Sequence, residues 1–309
     1  MLEVLAKLYP LISAERSYLK QAKIEAISFP RYYWQAFGRQ DSFRVVTFNG
    51  IDTLANVLPA VDILEGYESQ RQEVLDAKTE LTFHKAAAYL DPGHFNGDQL
   101  TYRSFVDSAF AMIRERGCRQ LIIDLRNNAG GDAFSNYLVS YLADRPFNWN
   151  ARFVLRTSEL LQQHIRRGDI TTNYARAILE HTAGETFPLS FRVYPPQPES
   201  RRFTGKVYAL INRQTHSQAA VTAAQLQDYG WATLVGEETA EYPTLQASQF
   251  QYTLPQTGIT VNAAKGYIVR VSGNEAQRGV MPDMLVQDPL PYEGDMLPEE
   301  LLQLLATGE

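Results

Sequence analysis

The chain has 309 residues, enough at roughly 100–200 per domain for one large domain or two smaller ones, and it can bury about three quarters of its unfolded surface. Its 29 Lys and Arg against 35 Asp and Glu give a formal charge of −6, and the two signs are interleaved along the chain, which argues against a nucleic-acid backbone or an anionic membrane as partner. A hydrophobic content of 45% with 21% charged residues is ordinary for a soluble globular protein, and no apolar run approaches the roughly 18 residues of a membrane span.

The opening MLEVLAKLYPLISAERSYLK places Glu3 and Lys7 inside what would have to be an apolar stretch, so it does not read as a signal peptide. Either the chain is cytoplasmic, or a targeting segment lies upstream of Met1 and the protein is periplasmic or secreted. Leu2, Leu5, Leu8, Ile12 and Ile24 recur at helical spacing with Pro10 as a break, and Tyr32, Tyr33, Trp34 and Phe37 follow as a packing surface. Phe43 to Phe48 alternates like a strand running into an Asn49-Gly50 turn, and Ile51 to Ile63 reads as a short apolar helix or irregular segment. Residues 1–78 thus form a small α+β segment, and no internal repeat or low-complexity tract is visible.

From about residue 80 strands and helices alternate. Ala86 to Leu90 is a buried-looking run that stops at Asp91-Pro92-Gly93, and Leu100, Phe105, Val106, Ala109, Phe110 and Ile113 trace one helical face closed by Gly117. The lone cysteine, Cys118, excludes an intramolecular disulfide framework and Cys-cluster zinc sites, and it reads as a small packed residue. Leu121 to Leu125 is a short apolar strand of the kind buried on both faces, so strand, helix, strand implies a parallel sheet. A helix follows around Tyr137 to Leu142. The stretch from Ser158 to Glu185 resembles a helical insertion, with a packed hairpin, a lid or a dimer arm as its possible uses. Val207 to Ile211 is the next strand, Ala219 to Leu226 a helix ending at Gly230, and Ala232 to Val235, Phe250 to Leu254 and Ile259 to Val261 are strand-like.

The chain lacks a G-x-S-x-G elbow, H-E-x-x-H, a Walker phosphate loop and G-x-G-x-x-G. Two strand-to-helix junctions carry the unusual chemistry. In LIIDLRNNAGGD, Gly130 and Gly131 let the backbone approach a ligand closely and turn N–H groups toward an anion or a developing oxyanion; a glycine turn braced by Asp124 and Arg126 is the plainer alternative. In VYALINRQTHSQAA, Ser217 stands where a helix begins, and the Gln218 N–H is one of the helix donors left without an internal partner. That suits a serine nucleophile, although Thr215 or Ser217 could equally serve as a helix cap.

Taken together, these junctions resemble the C-terminal processing (tail-specific) serine peptidase family, which includes tricorn-type peptidases. Asp124, Leu125, Arg126, Asn128, Gly130 and Gly131 match its D-L-R-x-N-x-G-G pattern, and Asn212, Thr215, Ser217 and Ala219 match its nucleophile segment. Gly236, Glu237 and Thr239 match a G-E-x-T, and Gly279, Val280, Pro282 and Asp283 a closing G-V-x-P-D. The resemblance implies an α/β fold with a crotonase- or ClpP-like catalytic core over residues 79–309, including a helical insertion near 158–185, and makes residues 1–78 an incomplete PDZ-like module. It further implies that Ser217 is the nucleophile and that the Gln218 N–H with one from Gly130 or Gly131 forms the oxyanion hole, with Asn128 contacting substrate.

The general base departs from the pattern. The lysine that processing peptidases carry three positions beyond the G-E-x-T threonine is here Tyr242, which could donate a hydrogen bond to substrate. Tricorn-type relatives use a histidine with a supporting glutamate. His94, after the first core strand, can face the same sheet edge as the other loops; His216 adjoins Ser217 and is poorly aimed as a direct base; His84, His164 and His181 look like ordinary strand or surface residues. Glu275 lies where the tricorn-type acidic helper would stand, with a surface-loop role as its alternative.

The leading expectation is a serine endopeptidase acting on a peptide or protein by acyl transfer through Ser217, without a metal or organic cofactor, with assembly into a homo-oligomer left open. A peptide-binding relative without turnover and a crotonase-like enzyme acting on acyl-CoA thioesters are the alternatives. With the base unaccounted for, the chain reads as the C-terminal portion of a longer peptidase.

Overall fold

A computed structural model describes residues 2–25, 29–48, 50–60, 79–84, 86–170, 172 and 174–287. They fall into two compact units, one holding the described residues up to 60 and the other those from 79 onward.

The first unit begins with α1 (Leu2–Leu8), a short 3-10 turn over Tyr9–Leu11 that accommodates Pro10, α2 (Ser17–Lys23) and α3 (Phe29–Phe37). Pro30 sits in the first turn of α3, where its missing N–H would have had no helical partner. Leu8, Ile12 and Ile24 form a small core against which Tyr32 and Phe37 pack, and Tyr33 meets Phe37 at a tilt and Phe43 edge-on. Trp34 is exposed, on the outer side of the same helix. The stretch from Ile51, read above as a helix or irregular segment, is largely a strand. β1 (Ser42–Phe48) turns at Gly50, whose φ of 93° lies in the left-handed region, and pairs antiparallel with β2 (Thr53–Pro59) from Ser42 against Pro59 to Phe48 against Thr53. Pairing along a whole neighbouring strand outweighs the weak helical spacing of Leu54 and Leu58. Ile63 lies outside the described residues.

The second unit is a mixed α/β assembly with two sheets. β3 (Glu80–His84), β4 (Ala87–Asp91), β5 (Gln120–Asp124), β8 (Lys206–Ile211), β9 (Thr233–Gly236) and β12 (Met284–Leu285) form a six-stranded sheet in the order β12-β9-β8-β5-β4-β3. Every pairing from β12 to β4 is parallel, and β3 runs antiparallel at the edge. The parallel centre follows from crossovers through α4 (Gln99–Glu115) and α8 (Gln218–Tyr229), as the apolar runs buried on both faces require. On one face α4 lays down Tyr102, Val106, Ala109, Phe110 and Ile113 beside α5 (Ser135–Val139), against Leu121, Ile123, Ala209 and Ile211; on the other, Tyr89, Ile122, Tyr208, Leu210 and Val235 cluster. Burial of each large apolar side chain here contributes about 1.5–3 kcal/mol. Leu100 leaves the predicted helical face: it stands in the first turn of α4 and is 72% exposed. The turn itself is held by Asp98, whose carboxylate accepts from the Thr101 N–H.

A second, antiparallel sheet has the order β10-β11-β6-β7, from β10 (Leu245–Thr253), β11 (Thr260–Val269), β6 (Arg152–Arg156) and β7 (Thr186–Leu189). The helical stretch after Ser158 is α6 (Glu159–Arg167) and α7 (Ala175–Glu180), lying in sequence between β6 and β7 and contributing Leu161 and Ile178 to a core with Phe153, Leu155, Phe187 and Ile268. β10 and β11 are longer than Phe250 to Leu254 and Ile259 to Val261 suggest, because the weak strand formers from Asn262 to Gly266 are recruited by β10, with β6 joining on the other side from Gly266. Within this sheet Lys265 is buried, its Nζ donating to the Ser248 and Gln249 carbonyls at 2.8 and 3.2 Å; burial lowers the pKa of its ammonium group. No helix among the described residues is long and apolar enough to cross a membrane.

Candidate active site

β5 and β8 are neighbours in the parallel sheet, so the two unusual junctions leave its carboxyl edge side by side, the place where open α/β sheets bind ligands. The junctions are laced together. Asn127 and Asn212 exchange bonds, the Asn127 N–H to Asn212 Oδ1 at 3.2 Å and Asn212 Nδ2 to Asn127 Oδ1 at 3.1 Å. The His216 N–H donates to the Asn128 carbonyl at 2.9 Å. Thr215 Oγ1 donates to the Leu125 carbonyl at 2.8 Å and accepts from the Asn212 N–H at 3.0 Å, so its hydroxyl ties strand to strand and does not cap α8.

The acidic end of the first junction is a structural brace. Asp124 receives Arg126 Nη2 at 2.6 Å and the Tyr89 hydroxyl at 2.6 Å, and burial together with the Asp124 carboxylate pushes the Tyr89 hydroxyl well above the ordinary phenol range, keeping it a donor. Beyond it the chain forms a mould. Asn128, which is buried, donates through Nδ2 to the Gly93 carbonyl and accepts the Gly130 N–H on Oδ1, both at 2.8 Å. Gly130 has φ 84°, and a Cβ there would come within 2.6 Å of the Gln218 nitrogen and 2.7 Å of Ser217 Cβ. Gly131 has φ 133° and a Cβ would strike the Phe95 carbonyl oxygen. Only glycine allows both the backbone angles and this approach.

Ser217 stands at the N-cap position of α8, yet its side chain makes no capping bond, and its backbone has φ 49° and ψ −124°. A side-chain-bearing residue held there costs about 1–3 kcal/mol, tolerated where the surroundings over-determine the conformation. Ser217 borders a cleft of about 1210 Å³ whose walls also include Gly131, Gln218 and Glu241, with Trp149, Tyr174, Phe191 and Tyr194 among its aromatic lining and β10 contributing Leu245 to Gln249. Among the described residues, hydrogen bonds use the Gly130 N–H, on Asn128, and the Ala129 N–H, on His94 Nδ1 at 3.1 Å, but not those of Gly131 or Gln218. Those two donors border the cleft together with Ser217. The Gln218 side chain anchors the start of α8, accepting from Trp149 Nε1 at 3.0 Å and donating to Ser135 Oγ at 2.9 Å.

The remaining sequence candidates distribute unevenly. Asn128 shapes the glycine loop from within, where it is too buried and too fully bonded to reach out toward a ligand. His94 braces the loop through Ala129 and does not border the cleft. Glu275 is drawn away to Arg152, at 2.9 Å, and accepts from the Tyr267 hydroxyl at 3.3 Å. Tyr242 is partly buried and lies outside the cleft lining. Burial raises the pKa of the Cys118 thiol, which favours its unreactive form.

One residue escaped the sequence reading. Glu241 Oε2 accepts a hydrogen bond from the Ser217 N–H, and the same carboxylate oxygen lies 3.9 Å from His216 Nδ1. It is presented by the loop after β9, which the two later motifs fix: the Thr239 N–H donates to the Val280 carbonyl, Val280 N–H returns to Thr239 Oγ1 at 2.9 Å, and the Gly279 N–H reaches Glu238 Oε1 at 2.8 Å. The only signal in the sequence is that Glu241 directly precedes the position where a lysine is absent.

Residues 86–286 match the sequence model of peptidase family S41. A carboxyl-terminal-processing protease of Synechocystis sp. is 25% identical over 276 residues, which cover 82% of this chain and 56% of that protein; the chain therefore spans little more than half the length of this curated relative. Among solved structures, mature CPAF is 19% identical with a TM-score of 0.48, over 71% of this chain and 50% of CPAF. The photosystem II D1 C-terminal processing protease is 17% identical with a TM-score of 0.47, over 87% of this chain and 61% of that one.

Proposed function

This chain belongs to peptidase family S41, and from that premise we propose that it is a serine peptidase that cleaves peptide bonds by acyl transfer through Ser217. The observation that carries the reading is the strained, uncapped Ser217 beside two backbone donors that no described residue uses. Acyl transfer needs a hydroxyl held against the scissile carbonyl and N–H groups aimed at the oxygen on which charge develops. Ser217 supplies the first, and Gln218 with Gly131 the second. Asn128 takes the Gly130 N–H for itself, so of the two glycines Gly131 is the better donor, and Gly130 is required for the close approach.

In the same reading the six-stranded sheet and its helices are a crotonase- or ClpP-like core, supported by the delivery of both donors from loops at the carboxyl ends of adjacent parallel strands. Support for a PDZ-like ancestry of the first unit rests on its single hairpin among the described residues. The substrate is a peptide segment that enters the cleft in extended form, and the aromatic walls favour apolar side chains.

Hydrolysis of quenched fluorescent peptides by the full chain tests the proposal. The wild-type chain is expected to cleave them, and Ser217→Ala to lose at least about 10³-fold in kcat/KM. Equal cleavage by the two proteins would refute it.

A further inference from the structure

We infer that Glu241 is the proton acceptor for Ser217, taking the role left vacant by the tyrosine at position 242; the inference rests on the peptidase reading above. Glu241 Oε2 already receives the Ser217 backbone N–H. In a serine the hydroxyl oxygen is two covalent bonds from Cα, as close to the backbone nitrogen as a hydrogen-bond length, and one χ1 rotation brings it to the same side. The bond to the N–H fixes the Glu241 carboxylate beside Ser217, and in this proposal its other oxygen, Oε1, takes the hydroxyl proton when χ1 turns Oγ toward it. Glu241 also borders the cleft with Ser217, Gln218 and Gly131.

No other base candidate on the page matches this placement. His94 is committed to the Ala129 N–H, Glu275 to Arg152 and Tyr267, and buried Lys265 to two carbonyls of β10. His216 has Nε2 3.3 Å from Gln214 Oε1 and Nδ1 3.9 Å from the Glu241 oxygen that accepts the Ser217 N–H.

The proton path closes on these groups. The Ser217 O–H bond breaks and its proton passes to the Glu241 carboxylate, while the released electron pair forms the bond from Oγ to the substrate carbonyl carbon. The carbonyl π pair moves onto oxygen, where the Gly131 and Gln218 N–H groups hold it. When that pair returns, the C–N bond breaks and the protonated Glu241 gives its proton to the departing amine. A water then attacks the acyl carbon, its proton going to Glu241, and the second collapse breaks the ester bond and returns that proton to Ser217 Oγ.

The test separates chemistry from positioning. Glu241→Gln keeps an oxygen that can accept the Ser217 N–H but cannot take a proton at neutral pH. In the full chain, Glu241→Gln is expected to lower kcat on a quenched fluorescent peptide, and the rate of labelling by a fluorophosphonate, by about 10²–10⁴-fold, with KM and the thermal midpoint near wild type. Added formate is expected to restore part of the lost rate to Glu241→Ala. A Glu241→Gln variant within about threefold of wild type, or a Glu241→Ala variant indifferent to formate, overturns the assignment while leaving the peptidase reading intact. A wild-type chain that neither cleaves peptide nor reacts at Ser217 overturns the peptidase reading itself.

Discussion

The two junctions at the carboxyl edge of the parallel sheet solve opposite problems. After β5 the chain is frozen by satisfied polar groups: Asp124 is held by Arg126 and Tyr89, and Asn128 bonds on both ends of its amide. After β8 the chain is strained at Ser217, whose hydroxyl no described hydrogen bond engages. The first junction is a mould and the second is the part pressed into it, with Gly130 against the Ser217 Cβ position. Rigidity and strain are thus assigned to different junctions, and each depends on the other through the bonds from Asn127, Asn128 and Leu125 across to Asn212, His216 and Thr215.

This division can be broken from the mould side. Gly130→Ala has the largest expected effect, because the new Cβ meets the Gln218 nitrogen and the Ser217 side chain at a φ of 84°. It should cost about 1–3 kcal/mol of stability and about 10²–10³-fold in kcat through a displaced oxyanion donor, read by thermal melting and peptide hydrolysis on the same sample. Asn128→Ala comes next. It leaves a buried carbonyl and a buried N–H without their partner, an expected loss of about 1–3 kcal/mol in urea unfolding, with a smaller drop in kcat as the glycine loop loosens. The smallest effect sharpens the contrast by lying outside both junctions: Leu100→Ser, on the exposed first turn of α4, should stay within about 0.5 kcal/mol of wild type and leave activity unchanged.

Local pattern and long-range pairing account for what could and could not be read from the chain itself. The buried runs from Ala87 to Leu90 and Leu121 to Asp124 and the strongly helical Ala219 to Leu226 declare themselves by composition, and their alternation implies a parallel sheet, whereas the adjacency of β5 and β8 that sets Ser217 beside Gly130 comes from the observed strand order. β2 and the far half of β11 do not, because their residues are indifferent strand formers that take their structure from a partner. At the candidate site, Ser217 and the glycines are legible because the proposed acyl transfer needs those residue types next to a strand end. Glu241 is not: it is 24 residues from Ser217, on a loop whose course depends on Thr239 and Val280 finding each other across 41 residues. Glu275, singled out by its position in the sequence, is paired with Arg152 in the structure, a partner the sequence does not reveal.

The central claim, that Ser217 is an activated nucleophile, is tested most directly by treating the full chain with a fluorophosphonate and locating the adduct by peptide mass spectrometry. The account predicts a single stoichiometric adduct on the peptide containing Ser217, absent after denaturation before treatment and absent in Ser217→Ala. A folded chain that stays unmodified at Ser217, or that is labelled equally when Ser217 is alanine, would contradict it.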